Sequence, residues 1–482
     1  VRNAQMRASN RTRLYSQYRQ EQVQEKLSQL GIFSYMDMQY APRDTTAACD
    51  TLDVTMQATF AKPLDAELEL NVVTKSNDQT GPGASFGVTR NNVFGGGESW
   101  NVKLKGSYEW QTGGGEKSSL MNSWEMGLST SLTFPRVVFP HLGKREFDFP
   151  ATTTFRLYIN QLNRAKYYKL LSFGGNATYD FQPSRTSRHS ITPFKLTFNV
   201  LQHQSEDFKE IAEANPALYV SLRNQFIPAM EYTYTYDNAS GRRIKNPIWW
   251  QSTVTSAGNI TSLIFRAFGK PFNEEDKSLL GAPFAQFVKL NTELRHLWNI
   301  DKNNAIASRM AVGALFTYGN ATIAPYSEQF YVGGANSIRA FTVRSVGPGG
   351  YHPEEGKYSY LDQTGTFRFE ANVEYRFRIF KSFWGATFLD AGNVWLLRKD
   401  RKLLADGKEA RPNSQLRLKT FPKQIALGTG VGIRYDMDIL VFRLDFGIPL
   451  HLPYDTDRSG YYNVTGAFFK NLGIHFAIGY PF

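Results

Sequence analysis

The chain has 482 residues, of which 41% are hydrophobic, 14% aromatic and 20% charged, with a formal charge of +12 and a mean hydropathy of −0.40. It contains no run of about 18 apolar residues, which excludes a membrane-spanning helix but not a membrane β-barrel, whose strands need only about 9–11 alternating residues. One cysteine, Cys49, excludes an intrachain disulfide framework and a cysteine metal cluster. The basic excess suits nucleic acid, for which no zinc spacing, phosphate loop or basic recognition helix is evident, or anionic lipid headgroups.

The chain opens at Val1 with no signal sequence, and an upstream portion is expected. Gln17 to Leu30 (QYRQEQVQEKLSQL) carries Val23, Leu27 and Leu30 at helical spacing, and Gly31 ends it at the usual C′ position. Two strands are expected next, SYMDMQY and TLDVTMQATF, separated by a polar turn. Helix then hairpin reads as the tail of a small α+β module over residues 1–62.

After Lys62 the period changes to two. In Ser99–Trp110 (SWNVKLKGSYEW), Trp100, Val102, Leu104, Tyr108 and Trp110 share one face, and Asn101, Lys103, Lys105, Ser107 and Glu109 share the other. The same reading along the chain gives 16 candidate strands. The first eight are Asp65–Lys75, Pro82–Phe94, Ser99–Gln111, Ser118–Phe134, Pro150–Leu162, Tyr167–Gln182, Ser187–Gln202 and Ile227–Asn238. The second eight are Pro247–Asn259, Phe284–Trp298, Asn304–Tyr318, Thr366–Phe380, Ser382–Leu397, Lys423–Tyr435, Ile439–Leu450 and Phe469–Phe482. Many exceed the soluble mean of about 5–6 residues. An even count with short turns at one end and long loops at the other is the pattern of an outer-membrane barrel. The long segments 204–225, 260–283, 319–364, 398–421 and 451–468 all fall at one end; turns such as FGGGE, IDKNN and DMD fall at the other, with 135–149 a longer exception. Asp207–Asn215 and the Phe272–Leu280 region are expected to form short loop helices.

The choice of face decides the class. Phe367–Phe380 carries Arg368, Glu370, Asn372, Glu374, Arg376 and Arg378 on its polar face. In a soluble sandwich that face is solvated and the apolar face is the core. Strand length, aromatic strand ends (Trp100, Trp110, Trp124, Phe134, Tyr435) and a terminal Phe482 favour the opposite arrangement, with lipid outside and a charged, water-filled lumen. A barrel about 16 strands wide leaves a lumen that strand side chains cannot fill.

Residues 319–364 lack convincing periodicity yet hold GGANSIRAFTVRSVGPGGYHP; a structureless stretch that long is usually functional or disordered. With Gly333-Gly334 before Ile338-Arg339-Ala340-Phe341 and Val346-Gly347-Pro348 after it, this segment resembles the sixth extracellular loop of the outer-membrane insertase superfamily, the BamA/TamA group (D15 surface antigen type). Ala340 stands where that signature has glycine, a position where positive φ would suit glycine alone. NNVFGGGE, FLDAGNVW and the ending GIHFAIGYPF resemble further motifs of the group, and RSVGPGGYHP looks most like TamL, the TamA-like branch of the Bacteroidota.

The resemblance implies an all-β membrane protein: a 16-stranded antiparallel outer-membrane β-barrel over 63–482, plugged by loop 319–364 and preceded by the C-terminal part of the last POTRA domain. It implies that Arg339 pairs with Glu374 and Asp390 inside the lumen, with Phe341, Gly333, Gly334, Gly347 and Pro348 shaping the loop. Glu374 lies on the polar face of its strand. Alternation leaves the direction of Asp390 open, because Trp384, Ala386 and Phe388 share its parity. The last strand holds Gly473, Gly479 and Pro481, which weaken ladder pairing near Phe482. Terminal fraying is the plain reading; the resemblance implies a lateral gate between first and last strands that templates a substrate strand.

The expected function is therefore outer-membrane protein assembly or translocation in a Gram-negative bacterium, with the POTRA side in the periplasm. Unfolded outer-membrane proteins, the bilayer with its lipopolysaccharide and a TamB-like inner-membrane-anchored protein are the expected partners, and nucleic acid is not. A porin-like or substrate-specific transport barrel is the alternative. No catalytic residue, metal site or cofactor is expected: the histidines are scattered, and neither HExxH nor GxSxG occurs.

Overall fold

The computed structural model of the protein describes residues 15–28, 30–44, 51–74, 79–111, 123–139, 151–164, 168–206, 209, 224–239, 244–272, 278–279, 282–321, 324–353, 363–399, 409, 411–437 and 440–482. Cys49 and nearly all of Asp207–Asn215 lie outside them. Helix α1 (Gln17–Ser28) is followed by an antiparallel hairpin, β1 (Phe33–Pro42) and β2 (Leu52–Phe60), with Met38 opposite Met56. Gly31 takes the left-handed conformation (φ 61°) that lets the chain leave the helix. Leu27, Leu30 and Ile32 are buried together against Val23, Phe33, Met36 and Met56.

The rest of the chain is built on strands. In order they are β3 (Leu64–Thr74), β4 (Gln79–Asn91), β5 (Ser99–Gln111), β6 (Ser123–Phe134), β7 (Ala151–Arg164), β8 (Tyr168–Phe181), β9 (Ser187–Gln204), β10 (Gln225–Asp237) and β11 (Ile248–Ala257). A helix, α2 (Asn259–Ala267), and a two-residue hairpin, β12 (Ser278–Leu279) with β13 (Ala282–Pro283), interrupt the series. It resumes with β14 (Phe287–Asn299), β15 (Asn304–Thr317), β16 (Phe367–Phe380), β17 (Phe383–Trp395), β18 (Ala426–Asp436), β19 (Val441–His451) and β20 (Gly473–Ile478). Apart from β12 and β13, these strands form one 16-stranded antiparallel sheet, each paired with its neighbours in sequence, in the barrel arrangement.

All sixteen strands expected from the period-two pattern are present. The last is shorter than expected: Gly473–Ile478 instead of Phe469–Phe482. Phe468–Lys470 forms a 3-10 turn, and Gly479 adopts φ 87°, which ends the extended conformation two residues before Pro481. Beyond β11 an unexpected helix covers Asn259–Ala267; most of the Phe272–Leu280 region expected to be helical lies outside the described residues, and Ser278–Leu279 within it is β12.

The sheet is apolar outside and charged within. Leu70, Leu157, Phe194, Val431 and Phe476 are each between 58 and 74% exposed, whereas Arg339, Glu374, Asp390, Arg434, Arg443 and Asp445 are at most 1% exposed. In water that inversion is unfavourable, because exposed apolar surface and unpaired buried charge both cost free energy. A surrounding lipid phase satisfies the first and mutual pairing the second.

At the short-turn end, the β4–β5 turn lies against the N-terminal unit. A Cβ on Gly97 would stand 2.9 Å from Leu30 and 3.2 Å from Pro135. Glu98 is buried there and accepts hydrogen bonds from the Gly96 amide (2.8 Å) and Arg136 (2.9 Å). Burial opposes ionisation of Glu98, but its own backbone amide, that of Gly96 and the Arg136 guanidinium outweigh it and hold the carboxyl below its ordinary value. A carboxyl held low stabilises this turn above the ordinary value of about 4.3, and the contribution is lost as pH falls through the lowered one. Glu98→Gln is expected to reduce hydrogen-exchange protection of residues 92–98 at pH 7 by roughly tenfold, about 1.4 kcal/mol. The gap from the parent protein should close on acidification, and a pH-independent gap would exclude this account.

Candidate functional site

Between β15 and β16, the described residues 324–353 fold back against the inner face of the barrel. Phe330 and Gly365 form an antiparallel bridge with 2.9 Å hydrogen bonds in both directions, which closes the base of the loop. Beyond it, Gly333 and Gly334 take φ of 101° and 95°, and the turn is held by the Gly334 amide donating to the Phe341 carbonyl (2.7 Å) and the Gly333 amide donating to Ser337 Oγ (3.0 Å). A side chain on Gly333 would stand 2.9 Å from the Thr342 carbonyl carbon, so glycine is required by space as well as by φ. Val332, Ile338, Ala340, Phe341 and Val346 are buried with Phe287, Leu315, Val394 and Ala426 of the barrel wall. Gly347 (φ 83°) and Pro348 lead the chain past the end of β17, where the Gly349 amide donates to the Val394 carbonyl (2.7 Å).

Arg339 sits at the tip of this loop. Its Nε donates to Asp390 Oδ2 (2.8 Å), its Nη2 to Asp390 Oδ1 (2.9 Å) and its own amide to Asp390 Oδ2 (3.0 Å). Nη1 donates to Glu374 Oε2 and lies 3.8 Å from Asp445 Oδ2. The planar fork matches the carboxylate on β17 bidentately and leaves one nitrogen for β16, a geometry no lysine reproduces. The guanidinium carbon stands 3.5 Å from the centroid of the Phe388 ring.

That ring answers the question alternation leaves open for Asp390. Ala386, Phe388 and Asp390 all face inward and are buried, while Leu389 is 47% exposed on the outer face. Apolar residues occur on the inner face of β17 because the loop covers them. The sequence-based set of Arg339, Glu374 and Asp390 is thus brought together, and Gly333, Gly334, Phe341, Gly347 and Pro348 lie in the loop that carries the arginine. Of the terminal-strand residues, Gly473 lies beside the clamp, where a Cβ would stand 3.3 Å from the Arg339 carbonyl oxygen, and Phe482 meets it through Arg376; Gly479 has no such contact.

Several partners were not assigned to the clamp from sequence, although Asn372 and Arg376 stood among the polar-face residues of Phe367–Phe380. Arg434 of β18 bridges Glu374 (3.0 Å) and Asp445 (2.6 Å). Arg443 of β19 lies 3.5 Å from Asp445 and donates to Asn336 Oδ1 (2.7 Å). Arg376 donates to Glu374 Oε1 (2.7 Å). Asn372 donates to Asp390 (2.9 Å) and to the Ser337 carbonyl (2.8 Å). The available signal was strict alternation: in VFRLDF and IRY, each charged residue falls between apolar outward neighbours.

The wall opposite the arginine is made of glycine. Gly428, Gly430 and Gly432 occupy three successive inward positions of β18, and Gly447 follows on β19. A Cβ on Gly447 would stand 2.7 Å from the Arg339 carbonyl oxygen, and one on Gly428 would overlap the Ala340 methyl. Ala340 itself does not adopt positive φ, so alanine fits where the resemblance has glycine.

The clamp reaches the final strand. His475 of β20 donates through Nε2 to the Arg339 carbonyl (2.6 Å). Arg376 donates to the Phe482 carbonyl (3.3 Å) and lies 4.3 Å from the Tyr480 ring centroid. Among the described residues no ladder joins β20 to β3, so the sheet has two free edges. No grouping of His, Cys, Asp and Glu among the described residues has metal-binding geometry. The arrangement is a clamp for a loop.

A profile of the Omp85 superfamily domain matches residues 92–482. The fold superposes on BamA from Haemophilus ducreyi lacking POTRA domains 1–3 with a TM-score of 0.59 at 14% identity, covering 95% of this chain and 77% of that one. CdiB from Acinetobacter baumannii superposes with a TM-score of 0.50 at 12% identity, covering 94% and 66%. At these identities the likeness is one of fold.

Arg339→Ala leaves buried carboxylates without their central cation and is expected to cost about 3–5 kcal/mol, read as a lowered denaturation midpoint in lipid vesicles. Arg339→Lys keeps the charge but loses the fork and should recover only part of it. Gly447→Ala, which changes no charge, should cost about 1–3 kcal/mol by overpacking. A Gly447→Ala midpoint equal to that of the parent would refute the close contact between loop and wall.

Proposed function

The chain belongs to the Omp85 superfamily, and from that premise we propose that it is an outer-membrane assembly or translocation factor with a plugged lumen and a lateral exit between β3 and β20. Superfamily membership carries the general role in outer-membrane insertion or translocation; the lateral exit is our own reading. The observation that supports it is the free pair of edges: β3 runs for 11 residues and β20 for six, with no ladder between them among the described residues.

An unpaired strand edge in hydrocarbon costs several kcal/mol per exposed backbone group. It is also a template: an incoming strand can exchange hydrogen bonds with the edge without leaving any polar group bare in lipid. Gly479 and Pro481 shorten the β20 side of the seam. The mechanism needs neither nucleotide nor metal. Arg339 holds the loop in the lumen, so passage follows the seam instead of an open pore. Its carbonyl accepts from His475 on the edge strand itself, which ties the seat of the plug to the position of that strand.

The finer assignments are part of the same proposal. The helix–hairpin unit is the end of the last POTRA domain and faces the periplasm. The long loops, and with them the basic rim, face outward toward lipopolysaccharide. The RSVGPGGYHP continuation favours the TamL branch and, with it, a TamB-like inner-membrane-anchored partner; unfolded outer-membrane proteins are the substrates.

Two cysteines, one in β3 and one in β20, introduced into a Cys49→Ser background test the exit. Oxidation is expected to stop insertion of an outer-membrane substrate into proteoliposomes, and reduction to restore it. Undiminished activity of the cross-linked protein would exclude the lateral route. In planar bilayers the parent protein should give small, unstable currents that Arg339→Ala enlarges. A large, steady conductance of the parent protein would favour a transport pore.

A further inference from the structure

Helix α2 stands at the end of the barrel remote from the N-terminal unit, directly after β11. Its faces are reversed relative to a helix on a soluble protein. Thr261 and Ser262 are buried against the barrel, while Ile260, Leu263, Ile264 and Phe268 are 44, 56, 51 and 85% exposed. The apolar residues recur at i, i+3, i+4 and i+8, the spacing of one continuous stripe. The side toward the protein is fixed: Phe265 packs on Phe284 (ring centroids 5.9 Å), and Gly258 (φ 70°) brings the helix start against Ala285 and Gln286. The stripe therefore points away from the barrel.

Two observations say what covers it. The exposed stripe begins where the lipid-facing band of the adjacent strands ends, at Val254 of β11, Leu290 of β14 and Phe316 of β15, all exposed on the outer face. The basic residues of this segment, Arg266 and Lys270, are exposed beside the stripe, with the Lys270 ammonium 5.3 Å from the Phe265 ring centroid. An apolar stripe flanked by cations is the chemistry of a helix lying in the headgroup–acyl boundary of a phosphate-bearing bilayer.

We propose that α2 is an interfacial membrane helix. Ile260, Leu263, Ile264 and Phe268 enter the acyl layer of the leaflet remote from the N-terminal unit, and Arg266 and Lys270 engage lipid phosphates. The helix anchors the rim of β11 and β14 at a fixed depth. The inference rests on the barrel residing in a bilayer and not on the lateral exit, so either can fail alone.

Site-specific fluorescence tests it. A nitrobenzoxadiazole label is placed on Leu263→Cys or Phe268→Cys, with Arg458→Cys, on an exposed loop residue at the same end, as control, all in a Cys49→Ser background. The full chain is reconstituted into phosphatidylcholine vesicles with and without phosphatidylglycerol. The labels on α2 should emit to the blue of the Arg458 label, be quenched by acyl-chain nitroxides and be protected from a water-soluble nickel chelate. Phosphatidylglycerol should strengthen nitroxide quenching, and Arg266→Gln combined with Lys270→Gln should abolish that increment. Chelate quenching equal to that of the Arg458 label would overturn the proposal by placing the stripe in water. Shielding from both quenchers would overturn it by placing the stripe under protein, a second copy included. An increment that survives the double substitution would remove the phosphate contact.

Discussion

One guanidinium organises the interior of this barrel. Arg339 enters from a loop, yet every group it touches belongs to the wall: Asp390 on β17, Glu374 on β16, the Phe388 ring between them, and His475 on β20 through the arginine's own carbonyl. Buried ion pairs are poor sources of net stability, because desolvation consumes much of the Coulomb gain. They are strict about geometry. Shifting the loop by one residue would put Ile338 or Ala340 among three carboxylates and strand the arginine elsewhere. The cluster therefore fixes one seat for the plug more than it strengthens the barrel.

The carboxylates are shared, which makes the cluster a unit. Glu374 accepts from Arg339, Arg434 and Arg376, and Asp445 lies between Arg434 and Arg443. Four guanidiniums face three side-chain carboxylates, and Asn336 Oδ1 and a backbone oxygen of Phe482 accept from two of them. Groups coupled this closely do not contribute additively. They also span the barrel from the loop at 336–339 to the last residues of the chain. The place where the plug is seated and the place where the sheet ends are thus parts of one electrostatic assembly.

The strands were legible because a two-residue period is imposed by the pleat and each face meets a different medium. SWNVKLKGSYEW declares its two faces without reference to anything distant. The loop was legible only through its resemblance to a known signature. What could not be read were contacts between the loop and strands far along the chain: Arg339 lies 136 residues from His475 and 106 from Asp445, and nothing local marks those residues as its neighbours. The direction of Asp390 was ambiguous for a definite reason, since the plug covers an apolar patch of lumen wall and breaks the rule that inward means polar. Helix α2 was missed because its apolar stripe is short and continues from the β11 pattern. The last strand was read too long because alternation through GIHFAIGYPF carries no warning of the left-handed turn at Gly479.

The glycine run on β18 has a mechanical meaning. Gly428 leaves room for the Ala340 methyl and Gly447 for the Arg339 carbonyl, so at these two positions the tip of the plug lies against wall that carries no side chain, while Gly430 and Gly432 leave room for the Phe388 ring and the Arg434–Asp445 pair. Such a seat has no adjustable padding. With no side chain there to repack, a displaced tip has to move main chain on one side of the contact or the other.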